Sequence, residues 1–518
     1  MNKSIYIATT EENSGKSIIT LGLMSMLINK TAKVGYFRPI VEDLEEGVLD
    51  NHIETVITHF GLDIAFEDAY ALTKSNLIKK KNNGQIGEVI DLIIEKYKRL
   101  EERFDFVLVE GTSFTGEGTA IELDLNVLIA KNLGIPVIIV GTGVGKTLEE
   151  LVEGLQLTYD SFKAKEVEVL SVIANKVQFE NIDLVTTSLR NRLPENVLIN
   201  TIPIISSLNN PTIQEIVNEL NAEVLFGGDY LDNQVSSFSV GAMQLRNYLS
   251  YIKENELVIT PGDRADIILG SLQANESANY PTVSGIVLTA GIKPDDTILK
   301  LIEGLSSIVP IISVAEGTFA ITNRIGAIKS KIYVNNKQKI LTSINTFEKF
   351  VDLDSLSDKL IKFEAGGMTP KMFQYNLVKR AKQFRKHIVL PEGNDDRIII
   401  AAARLLAMNV VDISIIGDLK EIEKKVASLG ILFDLAKVNI INPIESEHYV
   451  DYVNTYYELR KEKKVTLEIA RDLMLDGSYF GTMMVYKGHA DGMVSGAAHT
   501  TQHTILPALQ FIKTKPDT

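Results

Sequence analysis

The chain has 518 residues, room for about three domains of ordinary size, with 45% hydrophobic and 23% charged residues and a formal net charge of −14. It contains no cysteine, which excludes disulfides, cysteine-based metal sites, iron–sulfur clusters and a thiol nucleophile. The acidic balance argues against nucleic acid as a partner of the whole surface, no apolar stretch is long enough for a membrane span, and Met1-Asn-Lys leaves no room for a signal peptide, so a cytoplasmic location is expected.

Residues 1–225 read as repeated βα units. Ser4-Ile-Tyr-Ile-Ala8 has the pattern of a buried strand, Thr9 to Ser17 that of a glycine–lysine–serine loop, and Ile18 to Leu27 that of a helix. In that context loop amides, Lys16 and the helix start face one anion, so Gly15, Lys16 and Ser17 are candidate cofactor-binding residues, with Ser17 as a magnesium ligand. Two features oppose this. Thr9 and Thr10 stand where an entry glycine is needed, and Glu11 and Glu12 bring negative charge to the place of a γ-phosphate. The loop is therefore either a nucleotide site or a retained scaffold with at most a weak regulatory role. Phe104 to Val109 is a buried strand ending in Glu110-Gly-Thr-Ser113, where Glu110 can sit near magnesium. Ile135 to Val140 and Val167 to Val177 are further strands, the last closing in Asn175-Lys176. A base-reading Asn-Lys-x-Asp needs aspartate at 178, and Gln178 stands there. Apolar strands separated by helices imply a parallel sheet covered on both faces.

From Phe226-Gly-Gly-Asp229 to about residue 360 the elements shorten. Leu257 to Thr260 is a strand before Pro261-Gly-Asp-Arg264, a helix follows to Leu272, and Val283–Thr289 and Val309–Val314 are strands. Asp263 and Arg264 either cap that helix and pair with each other or line an effector pocket. Polar residues from Ser355 to Glu364 and the run Ala365-Gly-Gly-Met-Thr-Pro370 place the last boundary near 367.

Residues 368–518 continue the grammar of a doubly wound sheet: helix at Met372–Phe384, strand at His387–Leu390, the loop Pro391-Glu-Gly-Asn-Asp-Asp-Arg397, helix at Ile398–Met408, strand at Val411–Ile416. Tyr449 to Lys463 is an amphipathic helix with Arg460 near its end, either a snorkelling surface residue or a phosphate ligand. Two short apolar runs, Gly481–Val485 and Met493–Ser495, follow, and the second opens into Gly496-Ala-Ala498. His499, Thr500 and Thr501 then precede Thr504–Ile512, expected as a buried helix with Pro507 in its first turns. Orphan amides at such a start favour an anion. Of seven histidines, His489, His499 and His503 lie close in sequence but lack carboxylates at ligand spacing, so no metal is expected.

The run GTMMVYKGHADGMVSGAAHTT with LPALQFIKT after it, Pro391-Glu-Gly with Arg397, and Tyr457-Glu-Leu-Arg460 closely resemble the phosphotransacetylase (phosphate acetyltransferase) family. Residues 1–225 resemble the dethiobiotin-synthetase-like P-loop domain of its long multidomain form. Residues 226–360 resemble its DRTGG regulatory domain, with Thr289-Ala290-Gly291 in place of Thr-Gly-Gly, and residues 368–518 resemble about half of its doubly wound catalytic domain. The fold class is α/β throughout. The resemblance implies reversible acetyl transfer between the sulfur of coenzyme A and inorganic phosphate, with acetyl-CoA, phosphate and acetyl phosphate as small-molecule partners. It implies no tightly bound cofactor, no nucleic acid, no membrane, and a homo-oligomer at full length; a nucleotide with magnesium is confined to the altered P-loop.

The resemblance also distributes roles. Ser495, Thr500, Thr501 and Arg460 suit phosphate, and His499 is either an oxyanion donor or a packed histidine that holds the loop. Leu506 replaces an arginine usual before the proline, a loss for which Lys513 or Lys515 can substitute. The family's carboxylate base is implied to lie beyond Thr518, so the expectation is a chain cut off inside its catalytic domain and an incomplete enzyme; Asp491 or His499 is first in line as base if the chain turns over. A phosphate butyryltransferase, a non-catalytic nucleotide- or effector-binding protein, and a dethiobiotin-synthetase-like ligase are the alternatives. The first lacks the two leading domains, and the altered loop and Gln178 count against the last. Apolar sheet edges in a half domain favour self-association or instability.

Overall fold

The computed structural model describes residues 4–31, 33–43, 48–112, 119–305, 309–328, 330–363 and 369–512. The chain forms two compact units, Met1–Met372 and Phe373–Thr518. The boundary expected near residue 367 lies outside the described residues. Among those described, no helix is long and apolar enough to cross a membrane.

The first unit is built on two large sheets, beside a short parallel pairing of Ile40–Val41 with Leu72–Thr73. The first contains β1 (Ser4–Thr9), β2 (Val34–Phe37), β3 (Phe106–Glu110), β4 (Val137–Thr142), β5 (Val169–Val177) and β6 (Leu198–Pro203), in the order β2-β3-β1-β4-β5-β6. All of its pairings are parallel. β1, β3 and β4 are buried at every residue, which is why their sequences are apolar without alternation. Successive strands lie on either side of β1, so the loop that follows it, leading into α1 (Lys16–Ile28), opens at the carboxyl edge where open α/β sheets receive ligands.

The second sheet contains β7 (Glu223–Phe226), β8 (Ser237–Val240), β9 (Glu256–Pro261), β10 (Val283–Thr289) and β11 (Ile311–Ser313), ordered β8-β9-β10-β11-β7. It is parallel except for β7, which runs antiparallel along β11. Packing divides the expected regions 1–225 and 226–360 differently. β7 straddles that boundary, and α2 (Ile213–Leu220) already buries Ile213, Ile216 and Leu220 among Leu257, Ile259, Val287 and Ile312 of the second sheet. Conversely, α3 (Lys337–Phe350), expected with the middle region, packs on α1. There Gly22 leaves the room that the Phe347 ring fills, since a Cβ at Gly22 would come within 2.1 Å of it. Amphipathic periodicity marks a helix's apolar face without naming its partner, so sequence reading assigns such a helix to its chain neighbours.

Two buried charges join α3 to α2. Lys339 and Glu215 form an ion pair, both under 9% exposed, and Lys339 also reaches the Ser330 hydroxyl at 2.5 Å. Removing one partner strands the other charge away from water. Lys339→Met is therefore expected to destabilise the first unit by about 3–5 kcal/mol, with part recovered in the Lys339→Met/Glu215→Gln double variant. Urea unfolding of the three proteins checks it; equal midpoints would contradict the role given to this pair.

The second unit holds one parallel sheet. Its strands are β12 (His387–Leu390), β13 (Asp412–Ile416), β14 (Asn439–Ile441) and β15 (Gly492–Met493), in the order β14-β13-β12-β15. β12 leads into α4 (Asp396–Met408), and α5 (Tyr449–Arg460) and α6 (Gly477–Tyr486) supply an aromatic layer in which Tyr452, Tyr456 and Phe480 are at most 1% exposed. The apolar run at Gly481 lies inside α6; a Cβ there would come 2.8 Å from the Met493 sulfur, so glycine lets the helix lie close to the sheet. α7 (Thr501–Pro507) departs from the expected buried helix: Pro507 and Phe511 are buried, whereas Ile505 is 46% and Leu509 60% exposed.

Candidate active site

In the second unit β13 and β15 flank β12 on opposite sides, so the carboxyl edge around β12 is where successive connections diverge and leave a crevice. The loop 391–395, after β12, and the loop 494–500, after β15, meet there. Their junction is one carboxylate. Glu392, 4% exposed, accepts the N–H groups of Gly496 and Ala497 on Oε2, both at 2.9 Å. Its Oε1 accepts those of Ala498 and His499 at 2.7 and 2.8 Å. Gly496 takes φ 113°, a conformation that favours glycine, as the amides turn inward. Burial opposes the ionised form of Glu392, but the backbone donors outweigh it and its carboxyl is held below the ordinary 4.5. Arg397 adds a second tie, chelating Asp395 at 3.0 and 2.8 Å and donating to the Ala497 carbonyl.

The amides that hold an anion here lie in the loop before the helix start: within the chain, Glu392 fills the nest formed by the amides of 496–499. His499 stands at its edge, with Nδ1 3.2 Å from Glu392 Oε1 and 3.3 Å from the Ser478 hydroxyl. Its ring stacks on His503 at 4.5 Å with 10° between planes, and His503 Nε2 lies 2.9 Å from Asp476. Ser495 Oγ is 3.4 Å from Thr504 Oγ1, Thr500 caps α7 by accepting the His503 N–H at 3.3 Å, and Thr501 opens that helix, exposed. A cavity of about 320 Å³ borders these loops, lined by Pro391, Glu392, Asn394, Gly417, Pro443 and His499 among others.

Ser495, His499, Thr500 and Thr501 are therefore brought together. Arg460 has its polar contacts elsewhere: Nη1 lies 3.4 Å from the Gln510 carbonyl, beside Tyr456, whose hydroxyl donates to Gln510 Oε1 at 2.6 Å. Lys513 and Lys515 lie outside the described residues. Asp491 is corrected as a candidate base. It sits at the amino end of β15, holding Lys386 at 2.8 Å and the His387 N–H at 2.8 Å, at the opposite end of the strands from the crevice. Glu392 was legible as part of Pro391-Glu-Gly, but its four donors lie more than a hundred residues away. His503 was legible only as one of three histidines close in sequence, and Asp476 carried no sequence signal.

The first unit brings Gly15, Lys16, Ser17 and Glu110 to one place, in a different arrangement from the expected one. Gly15 is left-handed at φ 78°, and Lys16 Nζ donates to the Gly111 carbonyl at 2.7 Å and lies 3.5 Å from Glu110. Glu110 is fully buried and also faces Thr20 at 2.7 Å, Tyr36 at 2.9 Å, His52 at 3.0 Å and Arg38 at 3.3 Å. Burial pushes the Lys16 ammonium down to about 8, while Glu110 is held well below its ordinary value against burial, by His52 and Lys16 first. A carboxylate so enclosed offers no open edge to magnesium, so these residues do not fit the metal expected beside Glu110. Asn175 and Lys176 hold the loop instead of reading a base, donating to the carbonyls of Ser14 at 2.8 Å and Asn13 at 3.0 Å. Glu11 pairs with Lys146.

Comparison with known proteins follows the same three parts. Residues 3–212 match the AAA domain model, 215–328 the DRTGG domain, and 372–518 the phosphate acetyl/butaryl transferase model. The phosphate acetyltransferase of Nitratidesulfovibrio vulgaris is 42% identical over 521 residues, covering 100% of this chain and 74% of that protein. The chain belongs to the phosphate acetyltransferase family. The Synechocystis phosphate acetyltransferase is 41% identical over 518 residues, again with 74% of its length covered. A solved phosphotransacetylase from Streptococcus pyogenes is 41% identical over 29% of this chain and 44% of its own, at a TM-score of 0.27. The family expectation from the 481–514 wording is met, and phosphate acetyltransferases run along the whole chain, which does not favour the other readings.

Because the folded-state value of Glu392 lies below 4.5, its contribution to stability is present above the ordinary carboxyl range and is lost as pH falls through the folded value. Thermal midpoints taken from pH 7 downward should therefore fall more steeply below about pH 4.5 in the wild type than in Glu392→Gln. Parallel curves would remove Glu392 from the account.

Proposed function

We propose that the crevice between the loops 391–397 and 494–501 carries reversible acetyl transfer between the thiol of coenzyme A and inorganic phosphate. The observation that carries this reading is the meeting of those loops at the carboxyl edge of the sheet, beside His499, in a chain related along its whole length to phosphate acetyltransferases. Thioester and acyl phosphate share one carbonyl carbon: the thiol sulfur adds to it, the tetrahedral oxyanion collapses by breaking the bond to phosphate oxygen, and the thiol proton leaves on the departing phosphate. Ser495, Thr500 and Thr501 supply hydroxyls for the phosphate oxygens. His499, whose Nδ1 faces Glu392 and the Ser478 hydroxyl, turns Nε2 to the oxyanion as a donor. On this reading His499→Gln lowers kcat for acetyl-CoA formation from acetyl phosphate about 100-fold or more. Unchanged kcat would take His499 out of the reaction and leave it as a packing residue.

For the first unit we infer that the loop Thr9–Ser17 acts as a scaffold and not as a nucleotide site. Supporting this, Lys16 is turned to Gly111 and Glu110, Asn175 and Lys176 hold the loop from the neighbouring strand, and Glu11 pairs with Lys146. Calorimetric titration with ATP and magnesium is expected to give no saturable heat; binding abolished by Lys16→Met would reverse the inference. Self-association is supported by the exposed apolar side chains of Ile505, Leu509 and Ile512. Light scattering should return a mass above the 57.3 kDa of one chain, and a monodisperse monomer would count against it.

A further inference from the structure

We propose that Glu392 is a positioning residue for this reaction: its carboxylate is a built-in anion that shapes the amide nest of Gly496–His499 and sets His499 beside the crevice, leaving substrate phosphate to groups outside the nest. The role for catalysis rests on the acetyl-transfer reading above; the nest itself does not.

Four successive N–H groups that converge on one point repel one another unless an anion sits at that point. Glu392 supplies it, with two donors on each oxygen at 2.7–2.9 Å and only 4% of the residue exposed. The nest arises between β15 and α7, and its remaining ties are few: Val494 N–H to the Val389 carbonyl at 3.0 Å and Arg397 to the Ala497 carbonyl. The same Oε1 that accepts the Ala498 and His499 amides also faces His499 Nδ1 at 3.2 Å, so one atom fixes both the backbone and the ring of that residue. Gly393 lets the loop pass close to the end of β13, since a Cβ there would come within 2.6 Å of the Ile416 carbonyl oxygen. A second anion cannot enter the nest while the carboxylate is in it, because both would compete for the same donors at contact distance. Phosphate is thereby directed to the side-chain hydroxyls at the mouth of the crevice.

The test replaces the built-in anion by a free one in the full chain. Glu392→Ala is expected to unfold at a lower temperature than the wild type. Added formate, a carboxylate small enough for the vacated space, should raise its midpoint saturably, while sodium chloride at equal ionic strength should not, and formate should leave the wild type unmoved. A variant indifferent to formate overturns the proposal. Should Glu392→Ala fail to fold, Glu392→Gln keeps the size and removes the charge; its amides at 496–499 are then expected to exchange with deuterium about tenfold faster or more, given the strength of bonds to a charged acceptor. Unchanged exchange overturns the proposal equally. In acetyl-CoA formation, Glu392→Ala should lose kcat with little change in the KM for acetyl phosphate, and formate should restore part of the kcat. A raised KM at constant kcat would mean that the nest is the phosphate cradle, against this assignment. Absence of turnover in the wild type would defeat the acetyl-transfer reading instead, and the formate and exchange results would still decide the nest.

Discussion

The second unit depends on one carboxylate accepting four consecutive amides. Two loops that follow different strands, 391–395 and 494–500, have little apolar surface with which to hold each other. Charge-assisted hydrogen bonds from backbone donors to a buried carboxylate do this instead. The arrangement is asymmetric in energy. With the carboxylate present the converging N–H groups are satisfied by one acceptor, and without it they face one another with only water to accept from them. The site's geometry therefore exists before any substrate arrives, which is the condition under which an active site stabilises a transition state without reorganising.

The first unit solves a related problem with side chains. Glu110 at the end of β3 is enclosed by Lys16, Arg38 and His52 and by the hydroxyls of Thr20 and Tyr36. A buried carboxylate at a strand end is tolerated when its charge is matched, and the match here uses the very lysine that a phosphate-binding loop would present to a nucleotide. Both units thus place an internal anion where their folds receive external ones, but by different means. Backbone amides keep their donors under any substitution except proline, whereas a lysine can be redirected by a neighbouring glutamate.

Much of this was legible in the sequence, and the parts that were not share a cause. The strands at 4–9, 106–110, 137–142, 387–390 and 412–416 were visible because parallel strands buried on both faces need unbroken apolar runs. Ser495, His499, Thr500 and Thr501 were found together because they are neighbours in the chain. Arg460 was placed by wording alone, and the structure puts its guanidinium beside Gln510 and Tyr456. The partnership of α3 with α1, of Lys339 with Glu215, and of Glu392 with 496–499 joins residues more than a hundred positions apart. Composition and periodicity are local properties and carry no record of which distant partner a face or a charge will meet.

By itself the sequence determined the α/β class, the run of three differently patterned regions, the family, and the stretch in which the candidate site residues gather, because each of these rests on local pattern or on consecutive residues. Only the tertiary structure decided how those groups are held. It put Asp491 at the far end of the strands, closed the amide nest with Glu392, turned Lys16 from an open phosphate ligand into a partner of Glu110, and backed His503 with Asp476. The physical reason is that electrostatic partners are chosen by distance and desolvation in the folded chain, and both are set only once the strands have packed side by side.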